Sequence, residues 1–274
     1  MIGAIVGDIV GSRFEGPNKN PRRKNFSLFP SNSRFTDDTV LTIATGDAIL
    51  FDRNYRDVYR EYYTRYPKRG YGGSFKKWAQ SKSSKPYNSW GNGSAMRVSP
   101  IAWAFSTETT VLDEAGKSAE VTHNHPEGVK GAQAVALAIF LSKNGASKEK
   151  IRKEIETRFE YDLNIPITGE FDVSCQGSVP HAIAAFLDAV DFEDTIRKAI
   201  FRGGDSDTIA AIAGSIAEAH FGIPDDLVEG AFSKMTDDLA NVTELFVKTY
   251  INHDFVKPDK SDYGWKRLFR ILIK

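Results

Sequence analysis

The sequence predicts an all-α fold: a single compact, orthogonal helical domain over residues 1–274 with a central cleft. Three observations predict it. Apolar residues recur at helical spacing through most of the chain, no clean period-two series marks strands, and no fixed-length repeat divides the sequence. Lys+Arg and Asp+Glu balance at 36 each, so neither a basic field for nucleic acid nor a polyacidic tail is present. Cys175 is the only cysteine, which excludes an intramolecular disulfide and fits a cytosolic, buried side chain. No apolar run reaches the ~18 residues of a membrane span. The start Met1–Asp8 lacks a basic region and meets a carboxylate early, so the expectation is a cytoplasmic protein with no membrane partner.

Taken in order, residues 2–12 place Gly3, Gly7 and Gly11 on one side of a buried helix, with Asp8 and then Glu15 as exceptions in apolar surroundings. An Arg13 ion pair is the structural role open to Glu15. Residues 17–34 are rich in Pro, Asn, Lys and Arg and predict an irregular loop. A helix follows over 38–51, then a helical face of Tyr59, Tyr62, Tyr63 and Tyr66. Two glycine loops come next: Arg69–Ser74, a possible cover, and Ser89-Trp90-Gly91-Asn92-Gly93-Ser94-Ala95-Met96-Arg97, whose backbone N–H groups could line an anion-binding concavity. Thr122-His123-Asn124-His125 precedes an alanine-rich helix over 129–142; no neighbouring Cys/His cluster completes a zinc site. Further helices are expected over 147–159 (Ser147 capping), 179–190 (Pro180 in the first turn), 192–201 and 209–221, with residues 227–252 and a basic, aromatic tail closing the chain.

Two stretches carry the chemistry. Thr36-Asp37-Asp38-Thr39 and Asp205-Ser206-Asp207-Thr208 each set carboxylates and hydroxyls at the mouth of an apolar helix. One such stretch alone is explained by helix capping, since Asp and Ser suit the positive end of the dipole. Two copies that converged would supply oxygen ligands for a pair of hard cations.

These residues, with Gly7-Asp8-Ile9-Val10-Gly11-Ser12-Arg13-Phe14-Glu15-Gly16, Gly91–Arg97, Thr122-His123 and Gly203–Thr208, resemble the ADP-ribosylglycohydrolases, and the motifs fall in that family's order. The family includes the dinitrogenase-reductase-activating glycohydrolase and the hydrolases that clear arginine- or serine-linked ADP-ribose. The resemblance implies two Mg²⁺ or Mn²⁺ ions held by Thr36, Asp37, Asp38, Asp205, Asp207 and Thr208, with Glu15, Asp38 and Asp205 as catalytic carboxylates. It implies that Ser89, Gly91, Asn92, Gly93 and Ser94 hold the diphosphate, that Trp90 lies beside the nucleotide and that His123 contacts ligand. The implied activity is hydrolysis of the bond between ADP-ribose and a protein side chain or small acceptor, an ADP-ribosylated base included, with water attacking C1″. The alternatives are an ADP-ribose-binding regulator of the same fold and a metal hydrolase of another ADP-ribose derivative. Arg202 and the basic loop 17–24 are not part of the resemblance and leave the acceptor side open.

Overall fold

Glycines at every fourth position leave one side of a helix without side chains, and a second helix can then approach to backbone distance. In the computed structural model this happens between α1 (Ile2–Gly11) and α12 (Ser206–Phe221). Gly3 lies against Gly214, Gly7 against Ala210 and Gly11 against Asp207, so the two helices run antiparallel. A Cβ on Gly7 would overlap the Ala210 carbonyl. At the far end, the Glu218 carboxylate accepts Ile2 N–H (3.2 Å) and Gly3 N–H (2.9 Å), satisfying amides that a helix start leaves free. The antiparallel register has a functional consequence: it carries Asp8 and the chain leading to Glu15 to the acidic start of α12.

The structure describes residues 1–258 apart from Asn18, Asn20, Arg22 and Ser84; the tail expected to close the chain lies largely outside these residues. The fold is all-α, and no strand forms among the described residues. α2 (Asp37–Leu50) packs on α1, α3 (Tyr55–Arg65), α6 (Ser99–Ala104) and α14 (Asp237–Tyr250). α8 (Pro126–Lys143) joins α12 to α7 (Glu108–Glu120), α9 (Lys148–Phe159) and α10 (Cys175–Asp188). α11 (Phe192–Arg202) flanks α12, and α13 (Asp225–Phe232) touches α1. Two short pieces, α4 (Gly73–Gln80) and α5 (Gly93–Met96), border the cleft. No helix among the described residues is long and apolar enough to cross a membrane.

Most expected helices form within a few residues of their sequence bounds. α10 is the exception: it begins at Cys175, because the Ser174 hydroxyl caps Gly177 N–H at 3.0 Å, so Pro180 lies inside the helix rather than in its first turn. No helix is expected from the sequence over α4, α5, α6 or α7. Cys175 is fully buried, and burial pushes its thiol up to about 12, which suits a packing role. Tyr59, Tyr62 and Tyr63 turn into the core as their spacing predicts.

Candidate metal centre and substrate cleft

The start of α2 is shaped by side chains of its own motif and of α1. Thr36 is the N-cap and accepts Asp38 N–H at 3.3 Å. Its own hydroxyl donates to Asp8 Oδ1 at 2.7 Å, and its amide donates to Asp8 Oδ2 at 2.9 Å. Thr39 adds its amide (3.1 Å) and its hydroxyl to the same Asp8 oxygen. Asp8 is fully buried and clamps the turn from behind, leaving Asp37 and Asp38 to face the cleft. The start of α12 is built differently. Asp205 is its N-cap yet makes no capping bond; its Oδ2 instead accepts the Asn92 side-chain amide at 2.6 Å. Gly203 and Gly204 enter at φ 76° and 78°, and a Cβ on Gly204 would press on the Glu170 carbonyl at 2.5 Å.

The two starts meet. Oxygens of Asp8, Asp38 and Asp207 lie within 4.8 Å of one another, and so do those of Glu15, Asp205 and Asp207. Asp207 belongs to both groups. Burial, reinforced by the neighbouring carboxylates, pushes Asp37, Asp38 and Asp207 well above the usual range, and burial pushes Asp8 and Asp205 up to about 6. Asp38 Oδ1 is buried with no hydrogen-bond partner, and no lysine or arginine among the described residues pairs with this cluster. Uncompensated, such a cluster is costly; an oxygen-only donor set of this kind fits hard divalent cations. No histidine joins either group: His125 Nδ1 caps α8 through Glu127 N–H at 3.2 Å.

The carboxylates form one end of a cleft of about 310 Å³, within the size range of small-molecule sites. Glu15, Asp37, Asp38, Asp205, Asp207 and Thr208 line it together with Ser89, Gly91, Asn92, Gly93 and His123. Thr36, Trp90 and Ser94 do not. Thr36 stands behind Asp38, its hydroxyl proton engaged by Asp8. Ser94 is buried behind the loop, donating to the Gly128 carbonyl at 2.7 Å. The Trp90 ring is 56% exposed and meets His125 edge-to-face, 5.7 Å between ring centroids. The glycine loop also spends some of its donors internally: Asn92 N–H goes to the Val173 carbonyl (2.8 Å) and Gly91 N–H to Ser89 Oγ (3.1 Å). Glu15 is half-buried at the rim; the Arg13 pair that is its structural alternative does not form, because Arg13 donates to the Ser27 carbonyl and covers the Phe14 ring. Arg202 turns away to Asp188 and the Ile165 carbonyl.

Sequence reasoning missed several members of the site. In the sequence Asp8 stands out as a carboxylate in an apolar helix, with nothing local to give it a place in the site. Phe75 and Tyr87 also line the cleft, joined by Gly70 and Gly72 of the loop read as a cover and by Arg97 of the second glycine loop, and Asn92 is a link to Asp205 as much as part of an anion loop.

A sequence profile of the ADP-ribosylglycohydrolases matches residues 1–253. The chain belongs to this family. Among similar proteins, the zebrafish (Danio rerio) ADP-ribosylhydrolase ARH3 is 27% identical over 81% of this chain and 82% of its own length. The ADP-ribosylarginine hydrolase Tri1 of Pseudomonas putida is 32% identical over 57% of this chain and 46% of its own. A solved structure described as an ADP-ribosylglycohydrolase-related protein complex superposes with a TM-score of 0.72 at 23% identity, covering 92% of this chain and 96% of that one, so the fold is that of an ADP-ribosylglycohydrolase.

Proposed function

We propose that this protein hydrolyses the glycosidic bond joining ADP-ribose to an acceptor, a protein side chain or a small ADP-ribosyl compound. The observation that carries the reading is the meeting of two acidic helix starts, sharing Asp207, at one end of a cleft whose other wall is the glycine loop and His123. Thr36, Asp37, Asp38, Asp205, Asp207 and Thr208 are the residues that would hold a pair of divalent cations, Mg²⁺ or Mn²⁺, with Asp8 in support. Bound there, such ions would supply Lewis-acid stabilisation to the ribose end of the ligand.

The chain's own groups do the rest. Ser89, Gly91 and Gly93 bind the diphosphate and so fix the ribose at the carboxylate end, where remote binding energy lowers the entropic part of the barrier. Glu15, half-buried at the rim beside Asp205 and Asp207, takes a proton from water as its oxygen bonds to C1″ and the bond from C1″ to the acceptor breaks, and gives that proton to the departing acceptor, a contribution of ~10²–10⁴-fold. Asp38 and Asp205, which line the same end of the cleft, are the other two carboxylates we assign to catalysis. The whole chain acts as one catalytic domain in the cytoplasm.

The test is a panel of ADP-ribosylated arginine, serine, nucleobase and acetyl-ester compounds, each incubated with Mg²⁺ or Mn²⁺ and scored for free ADP-ribose. Release from at least one compound, lost on chelation and regained on adding the ion, is the expected result. Tight ADP-ribose binding without release from any compound would identify a binding protein instead, and cleavage of the diphosphate would identify a different hydrolase.

A further inference from the structure

His123 is held in a chain of hydrogen bonds that bears on which ring nitrogen carries its proton. Arg97, fully buried, donates Nη2–H to the Ser118 carbonyl (2.9 Å) and to Thr122 Oγ1 (2.9 Å), while its guanidinium covers the Tyr59 ring at 4.2 Å. A guanidinium only donates, so it occupies a lone pair of the Thr122 hydroxyl. That hydroxyl lies 2.7 Å from His123 Nδ1. With one of its two lone pairs so occupied, the hydroxyl can turn its single proton to Nδ1, the arrangement in which Nδ1 accepts and a neutral ring carries its own proton on Nε2.

Nε2 makes no hydrogen bond to the protein among the described residues. It faces the glycine loop: a Cβ added to Gly93 would sit 3.1 Å from it and one on Gly91 3.7 Å. Burial and the Arg97 charge both hold His123 well below its ordinary value, which disfavours a charged ring. The other titratable neighbour, Tyr87, packs its ring 5.9 Å away and is pushed by burial up to about 12, so it stays neutral.

We propose that Arg97 and Thr122 are positioning residues that fix His123 as a neutral Nε2–H donor aimed at an anionic ligand oxygen in the glycine loop. The ligand half of this rests on the cleft being an ADP-ribose site. The chemistry is that of a phosphate oxygen met by a neutral donor. A neutral donor offers direction without a mobile charge, so recognition by this group does not vary with pH through the physiological range.

The test is long-range ¹H–¹⁵N correlation of the histidine rings in the full-length protein at pH 6–8, with His123→Gln assigning the signal among the five histidines. The expected spectrum shows Nε2–H throughout. Thr122→Val, which deletes the hydroxyl at nearly constant volume, is expected to give mixed tautomers and roughly tenfold weaker ADP-ribose binding by calorimetry. Thr122→Ser is expected to restore both. A wild-type ring protonated on Nδ1, or charged at pH 7, overturns the relay whatever the protein binds, as does a Thr122→Val protein with unchanged tautomer and affinity. If Thr122→Val does not fold, the wild-type and Thr122→Ser spectra decide the matter. Failure of the wild-type protein to bind ADP-ribose would instead overturn the reading of the cleft and leave the tautomer as measured.

Discussion

At the start of α2, Thr36 caps the helix and Asp8 gathers the hydroxyls and amides of Thr36 and Thr39, so the first acidic motif is braced from behind by another helix. At the start of α12, Asp205 caps nothing, and its carboxylate reaches across to Asn92, which also donates to Ser178 Oγ at 2.8 Å. The residues are nearly the same, yet one motif is anchored in the core and the other to the glycine loop. The difference separates two jobs. The first start is a fixed reference point, and the second ties the carboxylates proposed to hold cations to the wall proposed to receive the diphosphate.

Asp207 belongs to both oxygen groups, so its substitution should have the largest effect and erase the distinction. Asp207→Asn is expected to lower ADP-ribose release by at least ~10²–10³-fold and to abolish calorimetrically detectable Mn²⁺ binding, with the helical circular dichroism retained. Turnover within tenfold of wild type would mean that the convergence of the two starts has no catalytic meaning.

Before any cation binds, the two starts should respond to pH alike, since Asp8, which braces the first from α1, and Asp205 of the second both stand at about 6 in the fold against an ordinary 3.8. The sign follows from proton counting. Over this window the folded protein holds more protons than the unfolded chain, so stability is full below pH ~4 and falls as pH rises through about 6. Melts of chelated protein should therefore show Tm decreasing across that window, and the rise in Tm on adding Mn²⁺ should grow with pH. A chelated protein that becomes more stable over the same range would refute this account of the cluster.

The two supports can then be removed one at a time. Asp8→Ala strands buried donors of Thr36 and Thr39 and should cost about 2–4 kcal/mol in denaturant unfolding, each unsatisfied group being worth ~1–3 kcal/mol. Asn92→Ala should cost less stability but weaken Mn²⁺ binding by roughly 10–100-fold, as loss of a group that orients a metal ligand commonly does. The reverse pattern, stability lost with Asn92 and only affinity lost with Asp8, would invert the comparison.

How far the sequence discloses this arrangement depends on the kind of contact. Carboxylates at helix mouths are local patterns, and the glycine stripe of α1 announces a close helix partner; both are legible without coordinates. Which helix lies against that stripe, and in which direction, is not. Asp8 therefore shows only as an oddity in an apolar run, although the antiparallel register against α12 brings it to the centre of the site. α7 escapes notice because its buried positions are few and small, Val111, Ala115, Gly116, Ser118 and Ala119, and α4 because only Phe75 and Trp78 turn inward. Pro180 suggests a helix start, but the Ser174 cap upstream takes precedence. Ser94 reads as part of an anion loop, and only its bond to the Gly128 carbonyl shows that it faces the other way.

The smallest effect is expected at Trp90, and it sharpens what the glycine loop contributes to the second start. The loop touches its surroundings through its backbone, with the Trp90 carbonyl accepting Cys175 N–H at 2.9 Å and Asn92 N–H donating to Val173, and through the Asn92 side chain. The indole takes no part in these bonds and lies outside the cleft lining. Trp90→Ala should therefore change ADP-ribose affinity by less than about threefold, below the ~1–3 kcal/mol at which a base–aromatic stack is usually valued. A loss above tenfold in a calorimetric titration would show that the ring swings onto the nucleotide when ligand binds, a side-chain rearrangement common at binding surfaces. The loop would then act on ligand through its aromatic as well as its backbone, and the second helix start would be coupled to the nucleotide by two routes rather than by Asn92 alone.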